Sequence, residues 1–180
     1  MRGIVAVGLL LLGIAALVAC TSQTPYQRPG TYADPAAYCN AVVTLDKPDK
    51  RYTGPAVPDW MARALRKETG AAPDAPLEPF SHAVWRCADG YVMACTVGAN
   101  IPCDSKGDTS KVPTPAAVAY CDANPNGETV PAVATGHATV YEWRCRGGKA
   151  VVVDQVLPLD EQGYPSVFWY KVTPEDGAKG

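Results

Sequence analysis

Alternating hydrophobic and polar residues mark two segments of this chain as β-strands. In each segment an aromatic residue and a cysteine share one face, and an arginine lies on the opposite face. A glycine-containing turn and a second apolar run follow each segment, which together predict a hairpin. The alternating residues are Ala83, Trp85 and Cys87 opposite Val84 and Arg86, and Tyr141, Trp143 and Cys145 opposite Val140, Glu142 and Arg144.

Three short helices and one further strand are also predicted. Residues 35–43 and 115–121 each begin with proline, which is favoured in the first turn of a helix. The third helix lies in DWMARALRKETG, where Asp59 can cap the amino end and an apolar stripe runs along one side. Residues 166–172, SVFWYKV, predict a final strand.

Three short sequence signatures occur twice in the same order, which indicates an internal duplication. They are Y-C-[ND]-A, T-x-P-A-V and W-R-C-x-x-G, beginning at Tyr38, Thr53 and Trp85 in one unit and at Tyr120, Thr129 and Trp143 in the other. The units span about 35–97 and 115–157, and the first carries an insertion at 58–79. We predict an α+β fold with one small antiparallel sheet, built from two duplicated hairpin units and a C-terminal strand, with short helices tied to it by disulfides.

The first twenty residues contain an uncharged apolar run, residues 4–18, preceded by Arg2. The run is shorter than the ~20 residues that a membrane-spanning helix needs and has the length of a signal-peptide core. It ends in Leu17-Val18-Ala19-Cys20, which resembles the lipobox of bacterial lipoprotein precursors. The resemblance implies cleavage before Cys20 and acylation of its thiol and of the new amino terminus, so that acyl chains hold the protein on a membrane of the cell envelope.

The resemblance and the composition together divide the chain into three parts. Residues 1–19 are predicted to be the signal peptide, residues 20–34 a polar tether, and residues 35–180 one globular domain. Thr21 follows the cysteine. Because aspartate at that position tends to retain lipoproteins at the inner membrane in enteric bacteria, threonine favours the outer membrane.

Seven cysteines become six when Cys20 is assigned to lipid, and an even number in an exported protein predicts three disulfides. If the two units share a fold, their first and last cysteines pair alike. That gives the pairs Cys39–Cys87, Cys121–Cys145 and Cys95–Cys103. An exchange between equivalent cysteines of the two units is the main alternative.

The charge balance argues against nucleic acid as a partner. The chain has 16 basic and 18 acidic residues, or 15 and 18 without Arg2, and the basic residues are scattered. Arg63, Arg66 and Lys67 are the exception, and we expect them on the solvated face of the third helix.

No motif for a catalytic centre, metal or cofactor is apparent in the sequence. There is no G-x-S-x-G or C-x-x-C motif, and the cysteine spacing does not suit zinc. Residues 104–108 (DSKGD) are expected to form a solvated turn rather than a calcium loop, and Asp160 and Glu161 a surface loop. His82 and His137 are not equivalent in the two units, and we interpret both as non-functional imidazoles at strand ends. Trp85, Trp143, Trp169 and Tyr170 could form a carbohydrate or peptide platform, but a core position over the disulfides is the stronger expectation.

The sequence therefore favours a non-catalytic envelope lipoprotein that acts by binding or structural interaction. Its partners would be the membrane, through the acyl chains, and an unknown envelope protein or glycan. Two alternatives remain: an inhibitor of an exogenous envelope-degrading enzyme of the lysozyme type, by analogy of architecture, and an envelope hydrolase with an unrecognised site. A polar cleft joining either histidine to a carboxylate and a nucleophile would favour the hydrolase, and an aromatic patch without the histidines would favour the binder.

Overall fold

The computed structural model describes residues 30–98 and 101–178 of the 180-residue chain. The predicted signal peptide and Cys20 lie outside the described residues. The described part begins within the predicted tether, where Tyr32 already belongs to the fold. Its backbone N–H donates to the carbonyl of Arg51 at 2.8 Å, and its ring lies 6.0 Å from that of Tyr38.

The described residues contain short helices and short strands, as the sequence predicts. The helices are α1 (Pro35–Val42), α2 (Asp59–Glu68), α3 (Glu78–Ser81), α4 (Pro115–Ala123), α5 (Ala132–Thr135) and α6 (Pro174–Ala178). The strands are β1 (Val84–Ala88), β2 (Tyr91–Cys95), β3 (Tyr141–Arg146), β4 (Lys149–Gln155) and β5 (Tyr170–Val172). The helices α3, α5 and α6 were not predicted, because segments of four or five residues carry no helical period.

The strands form two antiparallel sheets rather than the single sheet that the sequence suggested. One sheet has the order β1-β2-β5, and the other contains only β3 and β4. The two hairpins do not join, because β5 pairs with β2 and the outer edges of β1 and β3 bond to loop backbone. The final strand is also shorter than predicted, since residues 166–168 form a 3₁₀ turn before it.

The two units repeat the same backbone arrangement around each hairpin. Each hairpin turn has two central residues with positive φ, which matches the twist of the flanking strands: 51° and 83° at Asp89 and Gly90, and 56° and 79° at Gly147 and Gly148. Equivalent loop carbonyls also accept equivalent N–H groups. These bonds run from Cys87 to Leu45 and from Gly90 to Val43 in the first unit, and from Cys145 to Gly127 and from Gly148 to Pro125 in the second.

The three predicted disulfides are formed, and no cysteine is exchanged between the units. Cys39–Cys87 and Cys121–Cys145 each join the helix of a unit to the first strand of its hairpin, with Cα–Cα distances of 5.1 and 5.2 Å. Cys95–Cys103 closes the shortest loop, with a sequence separation of 8. Since both of these disulfides join the helix of a unit to the first strand of its hairpin, the internal duplication includes the cross-links as well as the sequence signatures.

Each unit has its own hydrophobic core, in which a tryptophan packs with the disulfide as predicted. The first core contains Trp85 and the Cys39–Cys87 pair, and the second contains Trp143 and the Cys121–Cys145 pair. A third cluster, around Trp169, covers the other face of the first hairpin. The first unit is therefore buried on both faces of its sheet.

The insertion at 58–79 contains α2, which contributes side chains to the first core and packs against the C-terminal helix α6. Pro58 occupies the capping position, so the prediction of Asp59 as the cap is wrong, and Asp59 is the first helical residue. Arg66 is only 9% exposed and donates to the carbonyl of Ala75 at 3.1 Å, which contradicts its expected place on a solvated face. Arg63 likewise donates to the carbonyl of Gly177 in α6 at 2.8 Å.

Candidate functional site

An aromatic cavity of about 360 Å³ opens between the first core and the third cluster. Its walls come from three parts of the chain, which are the first unit, residues 103–104 and residues 164–169. Four aromatic rings line it, and charged side chains stand among them. The aromatic residues are Tyr52, Trp85, Tyr164 and Trp169, and the charged ones are Asp46, Lys47 and Asp104.

The rings of the aromatic cavity are held in two edge-to-face pairs. The ring centroids of Tyr52 and Trp85 are 4.8 Å apart, and those of Tyr164 and Trp169 are 5.2 Å apart. The Trp85 indole donates to the carbonyl of Ala56 at 2.7 Å, which fixes its plane. Burial raises the pKa of both tyrosines, so each phenol keeps its proton at neutral pH.

Asp46 is the anchored charge of the cavity wall. Its carboxylate accepts from Lys106 at 2.8 Å and from the Gln162 amide at 3.0 Å. The hydrogen bond from Lys106 holds the pKa of Asp46 below its usual value, and the same contact raises the pKa of Lys106. Asp46 is therefore ionised at any physiological pH, with an oxygen that remains partly exposed.

Arg86 lies beside the cavity and is fully buried, on the face of β1 opposite Trp85. Its guanidinium donates to the Asp160 carboxylate and to the Gln162 side-chain oxygen. Its central carbon lies 4.5 Å from the ring centroids of both Tyr164 and Trp169, a cation–π arrangement. Arg86 thus fastens the aromatic wall to the first hairpin.

Sequence reasoning missed this ionic contact. The expectation that Asp160 belongs to a surface loop is wrong, because its side chain is only 24% exposed and pairs with Arg86. The two residues are 74 positions apart, so no local spacing pattern could have joined them. The one available signal was a difference between the units at one position, since Val84 is apolar and its equivalent Glu142 is charged.

Neither histidine lines the aromatic cavity. His82 is exposed and bonds the Glu78 carboxylate at 3.2 Å, one helical turn away. The neighbouring Ser81 hydroxyl donates to the Glu78 carbonyl, so it is not bonded to the imidazole. His137 is exposed on the loop after α5.

The described residues contain no group of three His, Cys, Asp or Glu side chains placed to hold a metal ion. Within the same residues, no helix has the length and apolar character required to cross a bilayer. Trp85, Tyr164 and Trp169 are only 4–6% exposed, so the aromatic cavity offers a ligand a small apolar surface beside carboxylates that can accept hydrogen bonds.

Comparison with protein-family models, curated proteins and solved structures finds no match to this chain.

Proposed function

We propose that this protein is a lipid-anchored lipoprotein of the bacterial cell envelope that acts by binding, and that it holds an envelope glycan in the aromatic cavity. The lipobox supports the anchor, and the disulfides suit an oxidising compartment. The observation that carries the binding role is the cavity itself, in which four aromatic rings and two carboxylates meet.

The chemistry of the walls favours a sugar over a purely apolar ligand. The exposed parts of the aromatic rings can contact C–H groups of a pyranose, while Asp46 and Asp104 offer acceptors for its hydroxyl groups. The volume of about 360 Å³ lies near the lower end of the range of about 300–1,000 Å³ that ligand pockets span. A short segment of a glycan would fill it, and the rest of the chain would extend into solvent.

Ala56 provides a direct test of the binding site. Its side chain is exposed at the cavity, and only its backbone carbonyl bonds Trp85, so Ala56→Phe should fill the cavity without disturbing the core. Ala132 holds the equivalent place in the T-x-P-A-V signature of the second unit and is also exposed, which makes Ala132→Phe the matched control. Binding of envelope-derived oligosaccharides to the form lacking residues 1–20 would be measured by calorimetry. We expect Ala56→Phe to abolish binding and Ala132→Phe to retain it.

Two results would contradict this proposal. Binding by Ala56→Phe equal to that of the unchanged protein would place the ligand elsewhere. Absence of binding to any peptidoglycan or lipopolysaccharide fragment would remove the glycan as ligand. The anchor is tested separately by intact mass of the full chain purified from membranes, in which Cys20 should be the amino-terminal residue and carry acyl groups.

A further inference from the structure

The two hairpins have equivalent outer faces, but within the described residues only the first face is covered. Arg86 lies opposite Met93 in the first hairpin, and Arg144 lies opposite Val151 in the second. Residues 159–169 cover the first face and bury Arg86 completely. The side chain of Arg144 is 41% exposed. We call the open surface around this residue the Arg144 face.

Equivalent cavities occur at the two arginines. The cavity at Arg86, of about 550 Å³, is walled on one side by residues 159–162, and the cavity at Arg144, of about 330 Å³, has no such wall among its lining residues. The two cavities are lined by equivalent residues. Thr44 and Asn126 each follow the first cysteine of their unit by five positions, and Asp89 and Gly147 each follow the last cysteine by two.

Arg144 keeps the hydrogen-bond donors that Arg86 uses to hold its covering segment. The two terminal nitrogens of Arg86 donate to Asp160 and Gln162. Arg144 donates through Nε to Glu142 at 2.8 Å, and its two terminal nitrogens have no acceptor in the described part of the chain. In the first unit, this pair of donors binds an acidic segment of the chain itself. In the second unit, the equivalent pair belongs to a partly exposed side chain.

The charges around these donors favour an anionic occupant. Arg146 and Lys149 are exposed and lie opposite each other beside Arg144 on the same face. Glu142 and Asp154 lie opposite each other at the far end of the face, and Glu128 lines the cavity. Since Glu142 is engaged with Arg144, the half of the face next to the hairpin turn is positive.

We propose that the Arg144 face binds an acidic segment of a partner protein, in which a side-chain carboxylate and a following aromatic ring take the places that Asp160 and Tyr164 occupy at Arg86. The carboxylate accepts from a terminal nitrogen of Arg144, as Asp160 accepts from Arg86, and the second terminal nitrogen is left for another acceptor of the segment, as Gln162 is at Arg86. The ring packs over the guanidinium and Val151, as Tyr164 packs over Arg86. The chain's own covering segment shows the chemistry of the occupant, and the basic half of the face supplies the attraction.

The covering segment itself is the probe for this interaction. A fluorescent peptide with the sequence of residues 157–170 would be titrated into the full chain, purified from membranes in detergent, and its anisotropy followed. The variant Arg144→Gln removes the charge on the face, Arg144→Lys keeps the charge but loses the paired donors, and Lys50→Gln removes a charge from an exposed loop as the control. A second peptide carries Asp160→Asn.

We expect the peptide to bind the unchanged chain and Lys50→Gln equally. Binding to Arg144→Gln should be weaker by about tenfold or more, because a charged hydrogen-bonded contact is lost, and the Asp160→Asn peptide should lose a similar factor. Arg144→Lys should recover part of the affinity. Thermal unfolding of each variant checks that it is folded.

Four results would overturn the proposal. One is unchanged binding to Arg144→Gln, and another is equal affinity of the peptide with and without the Asp160 carboxylate. The third is self-association of the full chain that depends on Arg144 in sedimentation, since a second copy would then cover the face. Failure of the peptide to bind at millimolar concentration has the same consequence.

Discussion

Asp160→Asn should destabilise the fold strongly, because it leaves the buried charge of Arg86 without its carboxylate partner. The amide side chain keeps an oxygen for the backbone N–H groups of Gln162 and Tyr164, which both donate to Asp160 at 3.0 Å. It removes the charge that faces Arg86, a side chain with no exposed surface. Breaking a buried ion pair from one side costs about 3–5 kcal/mol. Because Asp160 is 24% exposed and Gln162 still bonds Arg86, we expect a loss near the lower end, about 3 kcal/mol.

The second unit offers a matched control for this substitution. Glu142→Gln removes the carboxylate partner of Arg144, whose ion pair is 41% and 30% exposed. Such a partly exposed pair contributes at most about 1 kcal/mol. The two variants therefore test the same chemistry at equivalent hairpins under different burial.

Urea unfolding of the oxidised protein at neutral pH, followed by tryptophan fluorescence, gives the free energy of unfolding, and thermal unfolding followed in the same way gives the Tm. A loss of about 3 kcal/mol should lower the Tm by about 6–12 °C for a chain of this length, whereas Glu142→Gln should shift it by a few degrees at most. The reasoning is refuted if Asp160→Asn costs no more free energy of unfolding than Glu142→Gln. That outcome would mean that the covering segment does not depend on Arg86.

Three further predictions concern the disulfides, pH and the packing of α6. Replacing Cys95 and Cys103 by alanine should cost about 2.5 kcal/mol from loop entropy, less than the about 4 kcal/mol expected for the pair with a sequence separation of 48, as compared by urea unfolding. Lys106→Gln should raise the pKa of Asp46 toward its ordinary value of 3.8, as measured by carboxyl ¹³C titration. Because the pKa of Asp46 is lower in the folded state than in the unfolded state, its contact with Lys106 stabilises the fold at pH values above the unfolded pKa. This stabilisation is lost as the pH falls through the folded pKa. Gly177→Ala would bring a Cβ to 2.2 Å from the Trp60 carbonyl, so α6 should detach from α2 at a cost of about 1–3 kcal/mol, visible as faster amide exchange in α6.

Local patterns in the sequence predicted the parts of this fold that depend on local chemistry. The proline-started helices, the hairpins with positive-φ turns and the pairing of cysteines all appear where the pattern placed them. Both proline-started helices are also capped by a side chain, with Asp34 and Thr114 accepting from backbone N–H groups at 2.8 and 3.0 Å, although the sequence analysis did not name these caps. These features involve residues that are close together in the chain or repeated along it, so the sequence pattern alone can predict them.

Features that depend on distant contacts were not predictable in the same way. The division into two sheets follows from β5 pairing with β2, a choice between strands far apart in sequence. The aromatic cavity likewise joins Trp85 to Trp169, and the alternating pattern showed only that each belonged to a strand or its end. The burial of Arg86 required knowing that a segment more than seventy residues later returns to cover it.

The order of the cross-links has a consequence for how the molecule matures. Along the chain, each cysteine of the domain joins the next one, as Cys39 with Cys87, Cys95 with Cys103 and Cys121 with Cys145. With Cys20 acylated as we propose, a polypeptide that emerges amino terminus first can acquire its native disulfides by pairing every newly exposed cysteine with the nearest unpaired cysteine before it. No bond has to be broken and remade, so an oxidant without isomerase activity is sufficient for the chain to reach its final covalent form.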